Sequence, residues 1–302
     1  MGDILSKGAL FPPQLTNELI SLVKGSSSLA KLSGATPIPF NGTSLFTFAL
    51  DNEVDLVAEN GAKSNGGATI GTITMQPVKV EYGLRVSDEF MYASDEIQLQ
   101  YLSAFADGFS KKVARGLDIM AFHGVNPRTK VSASALTNKN FDDLVTQTVT
   151  FDSLAPNDNV EAAIALVQGN EYDVSGMAMA PAFKSALAGL KRGSTSYEAL
   201  FPELGWGAAP GTINGLPVDS NSTVSFNSGS DRAIVGDFQN YFRWGIAKQI
   251  PIKVIEYGNP DNDATLGDLQ GHNQVYIRGE AYIGWAILLP EAFSRIVANA
   301  SG

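Results

Sequence analysis

The chain has no cysteine and only two histidines, His123 and His272, among its 302 residues. Without cysteine it cannot form disulfide bonds, thiolate metal sites or a cysteine nucleophile. The histidines lack the spacing of a metal site, and the Gly-x-Ser-x-Gly motif of serine hydrolases does not occur. We therefore predict no catalytic residue, no bound metal and no cofactor, and we expect the protein not to be an enzyme.

Basic residues are scarce, with 21 Lys and Arg against 31 Asp and Glu, a net charge of −10. An acidic surface repels polyphosphates, so tight binding of nucleic acid is disfavoured. No continuous apolar run reaches the roughly 18 residues of a membrane helix, and the first ten residues contain no secretory signal. We expect a soluble protein that contacts no membrane and stays where it is made.

Two segments only partly match known binding motifs. At 61–64 a phosphate-loop pattern has Ala62 where the motif needs glycine. Asp261, Asp263 and Asp268 resemble a calcium loop, but its glycine and glutamate positions hold other residues. We reject the phosphate loop and interpret the second segment as a solvated acidic loop, with adventitious cation binding as the alternative.

The N-terminal third predicts extended parts with little core. Leu15 and Leu19 belong to a short helix that ends at Gly25, and the serine-rich stretch after it is typical of an arm outside the core. Strand patterns at 44–50 and 54–58 and a polar, glycine-rich tip at 59–71 predict a long β-hairpin over about 44–75. Such a hairpin must lie on another surface.

The next segments carry the strongest periodic signals. Residues 78–86 alternate apolar and polar, which predicts a strand. Residues 94–122 predict one helix of roughly 43 Å at ~1.5 Å per residue, with His123 capping its end. Its single apolar stripe consists of Leu102, Phe105, Phe109, Val113, Leu117 and Met120.

The remainder predicts a mixed α/β unit followed by strands. Helices are expected at 158–169 and from Pro181, with strands at 173–180 and 233–235. The aromatic segment 241–244 is interpreted as a half-buried strand rather than a base-stacking site. Long strands follow around 252–254 and 275–287, and a short helix is predicted over 290–297.

Six segments, with the long helix between the second and the fourth, follow the order of a known family. They are LVAENG at 56–61, VKVEYGLRVSDE at 78–89, ARGLD to FHG at 114–124, MAMAPAF at 177–183, GLPVDS at 215–220 and IVGDF at 234–238. On these motifs the chain resembles, over nearly its whole length, the major capsid proteins of tailed double-stranded DNA phages. The resemblance implies an α+β chain with the Hong Kong ninety-seven fold.

The resemblance also implies names for the predicted parts. They are an N-arm at 1–35, an E-loop hairpin at 36–76, a peripheral domain at 77–129 with a spine helix at about 94–122, an axial domain at 130–247, and peripheral return strands with a C-terminal helix at 248–302. The residues expected at subunit contacts are Phe46, Phe48, Glu59 and Lys63 in the E-loop and Leu15 and Leu19 in the N-arm. Some relatives cross-link an E-loop lysine to an asparagine, but no partner for Lys63 matches, so we interpret it as a solvated lysine.

The function implied by the resemblance is structural. Hexamers and pentamers of the chain would close an icosahedral shell around double-stranded DNA, contacted weakly, in a virion assembled in the host cytoplasm. Further partners would be a portal and possibly decoration proteins. The arm begins at Met1 without a scaffolding extension, which implies either a separate scaffolding protein or an already trimmed chain, and the initiating methionine favours the separate protein. One alternative is an encapsulin, a shell of the same fold that packages protein cargo. The other is an enzyme with an unrecognised site, which would be a monomer or a small oligomer.

Overall fold

The computed structural model describes residues 27–193, 197–205, 208–209 and 211–299. Within these ranges the helices are α1 (Ser28–Leu32), α2 (Glu89–Tyr92), α3 (Asp95–His123), α4 (Phe141–Leu144), α5 (Pro156–Gln168), α6 (Pro181–Gly189) and α7 (Phe238–Tyr241). The strands are β1 (Thr43–Leu50), β2 (Ala68–Met75), β3 (Val78–Ser87), β4 (Thr148–Thr150), β5 (Gly176–Met179), β6 (Thr212–Ile213), β7 (Leu216–Ser220), β8 (Asp231–Gly236), β9 (Phe242–Ile255), β10 (Gln274–Ile287) and β11 (Phe293–Val297).

These strands form three sheets. β1 and β2 form a two-stranded hairpin, and β3, β10 and β9 form an antiparallel sheet with β10 at its centre. The third sheet has six strands in the order β4-β11-β8-β5-β7-β6 and mixes parallel with antiparallel pairs. Helices and sheets contribute to one mixed fold, as the sequence predicts.

The long helix α3 is confirmed, and every residue of its predicted apolar stripe is buried. The stripe packs on the three-stranded sheet, where Phe109 lies against Gly279 of β10 so closely that a Cβ there would be 3.1 Å from its ring. The helix ends at Gly124, whose left-handed φ of 62° lets its N–H donate to the Met120 carbonyl. Among the described residues, no helix combines the length and hydropathy that crossing a membrane requires.

The six-stranded sheet has its own core. Buried side chains of β5, β7 and β8 pack against α5 and α6, with Met177, Phe183 and Val235 among the most enclosed. Both helices begin with a proline in the first turn, where the missing N–H costs no hydrogen bond. The predicted strand at 173–180 is shorter, since only Gly176–Met179 pairs with neighbours.

The predicted helix over 290–297 is wrong. Pro290–Ala292 forms a 3-10 turn, and Phe293–Val297 then forms β11. This strand pairs antiparallel with β8 and parallel with β4, so the chain end lies in the six-stranded sheet and not beside the return strands β9 and β10. The apolar spacing of Phe293, Ile296 and Val297 fits a helix equally well, and only pairing with distant strands decides between the two.

Candidate subunit interface

The β1–β2 hairpin carries an uncovered apolar face. In its antiparallel register Phe48 lies opposite Ile70 and Phe46 opposite Thr72, so their side chains share one face with Leu50. Phe46, Phe48, Leu50 and Ile70 are between 65% and 77% exposed. Four large apolar side chains on one face of a two-stranded ribbon form a surface that favours a protein partner.

The opposite face of the hairpin is attached to the body at its base. Leu45 and Ile73 pack with the buried side chains Ile38, Met75 and Ala286. The base of the hairpin is therefore packed against its own subunit, whereas the side chains on its other face and at its far end are exposed.

The hairpin tip differs from its prediction. Residues 54–58 do not form a strand: the ladder ends where the Asp51 N–H donates to the Gly67 carbonyl at 3.1 Å. Thr69 closes this end through a 2.8 Å hydrogen bond to Asp51. The strand-like spacing has no neighbouring strand to pair with, so Val54 and Leu56 are 97% exposed, and Glu59 and Lys63 also lie in the exposed loop.

Further exposed apolar side chains lie in α2 and at the start of α3. They include Tyr92, Ile97, Leu99 and Tyr101. Of the twenty exposed large hydrophobic side chains in the described ranges, fourteen lie between positions 40 and 101. The uncovered apolar surface is thus concentrated in the hairpin and the segment that follows it.

The arm interpretation is wrong for residues 27–33, which lie inside the fold. Leu29 and Ala30 are fully buried, and Leu32 nearly so. The Ser28 and Leu29 N–H groups donate to the carboxylate of Asp118 in α3, and burial raises the pKa of Asp118 to about 6. The other predicted arm contacts, Leu15 and Leu19, lie outside the described residues.

A charge cluster around the buried Asp231 lies where α3 ends, and the sequence analysis missed it. The His123 Nδ1 atom is 2.9 Å from Asp142 Oδ2, and its Nε2 donates to the Thr223 carbonyl at 2.9 Å, so His123 does not cap its own helix as predicted. Arg295 of β11 binds both Asp142 and the fully buried Asp231. No sequence spacing could have indicated the cluster, because its members come from four separate elements.

The charge states in this cluster follow from its contacts. Burial opposes the charged form of His123, but the hydrogen bond to Asp142, the charge of Asp142 and the hydrogen bond to the Thr223 carbonyl together outweigh it, so the pKa of His123 is raised. Burial raises the pKa of Asp231, whereas bonding to His123 and the charge of Arg295 hold the pKa of Asp142 below its ordinary value. His123, Asp142 and Asp231 are close enough together to hold a metal ion, but each is already engaged by a protein partner.

The acidic loop after β9 is largely exposed, as its interpretation as a solvated loop predicts, and it is also bonded to the sheet. Arg85 of β3 donates to both carboxylate oxygens of Asp261, to Asn259 and to the Gly267 carbonyl. These bonds hold the pKa of Asp261 at about 2. Asp263 and Asp268 accept main-chain N–H bonds within the loop and shape its turns.

The phage capsid family matches residues 7–298 of this chain. The chain belongs to that family. A solved structure from Mycobacterium phage Ogopogo is 31% identical and superposes with a TM-score of 0.77, covering 91% of this chain and 92% of that one. The comparison with curated proteins finds no match.

Two more distant structures show the fold alone. One from Gordonia phage Cozz is 23% identical with a TM-score of 0.75, covering 91% of this chain and 87% of that one. The other, titled as the capsid of an empty GTA particle, is 15% identical with a TM-score of 0.63, covering 91% and 90%. The predicted Hong Kong ninety-seven fold is confirmed.

The predicted function is confirmed at the level of the family. The chain is a structural major capsid protein that assembles with copies of itself into a shell, and its location is the virion capsid. The encapsulin alternative is not favoured. The predicted contact residues Phe46, Phe48, Glu59 and Lys63 lie together on one projecting hairpin, and their role between subunits stays a prediction.

Proposed function

We propose that this capsid protein forms hexamers and pentamers that close an icosahedral shell around double-stranded DNA, and that the hairpin of each subunit covers its neighbour. The observation that supports the contact is the apolar face of Phe46, Phe48, Leu50 and Ile70. Within one chain this face remains in water, and burying it against a second subunit stabilises the pair by about 25 cal/mol per Å² of apolar area.

The proposal includes the contacts of the shell with other components. The net charge of −10 favours weak, salt-dependent contact with packaged DNA over tight binding. A separate scaffolding protein, a portal and decoration proteins are the further partners, with assembly in the host cytoplasm and no catalytic role for the chain. These partners follow from the resemblance to tailed-phage capsid proteins.

A double substitution on the apolar face tests the subunit contact. Phe46→Thr with Phe48→Thr keeps residues that favour strands but removes both rings from the exposed face. We expect this variant to stay folded, with a melting temperature close to that of the unaltered protein, and to form few or no shells. Size-exclusion chromatography with light scattering measures the assembly, and negative-stain micrographs show whether closed shells with hexamers and pentamers are present.

The matched control is Ala49→Thr. Ala49 is exposed on the same strand, but its side chain points to the opposite face of the hairpin. Shells should form normally in this variant. Normal shell yield from the double variant would contradict the proposed contact.

A further inference from the structure

Asp118 is a fully buried carboxylate in the second half of α3 whose hydrogen bonds reach two distant parts of the chain. Its Oδ1 accepts from the Ser27 hydroxyl and from the Leu29 N–H at 3.3 Å. Its Oδ2 accepts from the Ser28 N–H at 2.9 Å, the Thr223 hydroxyl at 2.9 Å and the Asn221 amide at 3.3 Å. Three of these five donors belong to residues 27–29.

This arrangement needs a carboxylate. Each oxygen of Asp118 receives a main-chain N–H, which cannot reverse its direction as a hydroxyl can. An asparagine would place an NH₂ group against one of these two N–H donors in either orientation. A buried charge is costly unless it is fully paired, and here its bonds select one position for the segment at 27–29.

The docked segment also contacts the six-stranded sheet. Its helix α1 packs on β5, where the absence of a side chain at Gly176 leaves room for Leu32. A second carboxylate, Asp219 of β7, accepts from the Ser28 hydroxyl and from Lys31 Nζ at 2.6 Å. Two carboxylates from different elements therefore hold one short helix through polar contacts at its first turn and at Lys31.

We infer that Asp118 is the positioning residue that holds segment 27–33 on α3, and that shell assembly depends on this attachment. The attachment fixes the place and direction at which the preceding chain joins the subunit. In a protein that assembles with copies of itself, this fixed junction gives every subunit the same geometry toward its neighbours.

Trypsin cleavage after Lys31 measures opening of the segment. Lys31 has an accessible side chain, but α1 must unfold locally before a protease can bind its main chain. The measurement uses unassembled subunits separated by size exclusion, with the cut bond identified by mass spectrometry. Cleavage after Lys63 in the exposed loop provides an internal standard for protease activity.

The first two variants are Ser27→Ala and Thr223→Val, since each removes one buried hydroxyl donor to Asp118. The Ser27 hydroxyl also accepts from the Ala30 N–H as the N-cap of α1, so Ser27→Ala removes that cap as well. Ser27 belongs to the docked segment, whereas Thr223 belongs to the body. We expect Ser27→Ala to speed cleavage after Lys31 about tenfold relative to Lys63, and Thr223→Val to change it less than about twofold. Asp118→Asn leaves the Ser27 cap in place and should also speed cleavage about tenfold, whereas an unchanged rate would assign the Ser27→Ala effect to the lost cap and overturn the role of Asp118.

Assembly supplies the second measurement. Ser27→Ala should lower shell yield while the melting temperature of the body stays near that of the unaltered protein. Equal cleavage rates after Lys31 in the Ser27→Ala and Thr223→Val variants would overturn the attachment of segment 27–33 by Asp118. If Ser27→Ala is cleaved rapidly but still forms shells at normal yield, the role of the attachment in assembly is overturned. Because cleavage is measured on unassembled subunits, its rate does not depend on whether the proposed hairpin contact between subunits exists.

Discussion

In the β3–β10 pair Leu84 lies opposite Ile277, and in the β1–β2 hairpin Phe48 lies opposite Ile70. Both pairs are antiparallel and both place apolar side chains together on one face. In the first pair α3 covers that face and Ile277 is fully buried, whereas in the hairpin both partners are exposed. Strand alternation thus indicates an apolar face but does not indicate the surface that covers it, for which we propose a second subunit in the case of the hairpin.

The largest expected effect contrasts two phenylalanines across these regions. Phe109→Ala removes a buried ring that packs on β10, and we expect it to lower the free energy of unfolding by about 3–5 kcal/mol. Phe48→Ala removes an exposed ring and should change it by less than about 0.5 kcal/mol. Chemical denaturation of both variants measures the difference, and equal losses would show that the hairpin face is buried within the subunit.

The second effect concerns the buried charges of the body. Arg295→Met leaves the fully buried Asp231 without its cation, and we expect a loss on the order of 3 kcal/mol. The control is Lys111→Met, which breaks an exposed pair with Asp107 and should cost about 1 kcal/mol or less. Denaturant titration compares the two, and similar small losses would mean that Asp231 gains another partner or water.

A smaller effect comes from proton binding in the body. The pKa values of Asp118 and Asp231 are raised by burial, so the folded state binds their protons more tightly than the unfolded state and gains stability as pH falls from above 6 toward 4. The raised pKa of His123 adds stability that is present below its unfolded pKa of about 6.5 and is lost as pH rises through its folded value. The lowered pKa of Asp142 acts only below about pH 4.

The raised pKa values of Asp118, Asp231 and His123 therefore make the subunit less stable at about pH 8 than at about pH 5.5, by about 1–3 kcal/mol in total. Denaturation midpoints at the two pH values measure this difference. His123→Gln should reduce it, while His272→Gln, at an exposed position, should leave it unchanged. Higher stability at the upper pH would show that the cluster is not protonated as its geometry requires.

Local patterns predicted much of the fold but few of its long-range contacts. The stripe from Leu102 to Met120 predicted α3 because a helix of that length repeats its apolar spacing many times. The pattern at 54–58 covers five residues and lacks a pairing partner, so the strand predicted there does not form. The predicted helix at 290–297 is wrong for the opposite reason. Its second part does have pairing partners, because β8 and β4, which are distant in sequence, pair with it as β11.

Asp118 shows the same limit within the candidate site. It is one acidic residue on a predicted helix, and its partners Ser27 and Thr223 lie 91 and 105 positions away. The serine-rich composition around Ser27 indicates a loop when read locally, and only the carboxylate on α3 gives those serines a buried position. That Phe46 and Phe48 share one face of a strand could be predicted from the sequence, because side chains alternate between the two faces along a single strand.

The smallest expected change in stability comes from shortening the hairpin tip. Residues 52–66 connect the last paired positions, Asp51 and Gly67, and replacing them with a short Gly-Ser turn leaves the ladder and its buried root in place. Because Val54 and Leu56 contact water in the single subunit, the free energy of unfolding should change by less than about 0.5 kcal/mol.

Shell formation should nevertheless decrease, since the removed tip carries three exposed large apolar side chains, Val54, Leu56 and Val57, which the proposed contact covers with another subunit. Scanning calorimetry and light scattering of the same preparation separate the two effects. A lower melting temperature of the shortened protein would show that the tip belongs to the subunit core, which its exposure contradicts. Shell assembly at full yield would show that the subunit contact is restricted to the paired strands. In both cases Asp51, the last paired residue before the tip, marks where the paired strands end and the exposed loop begins.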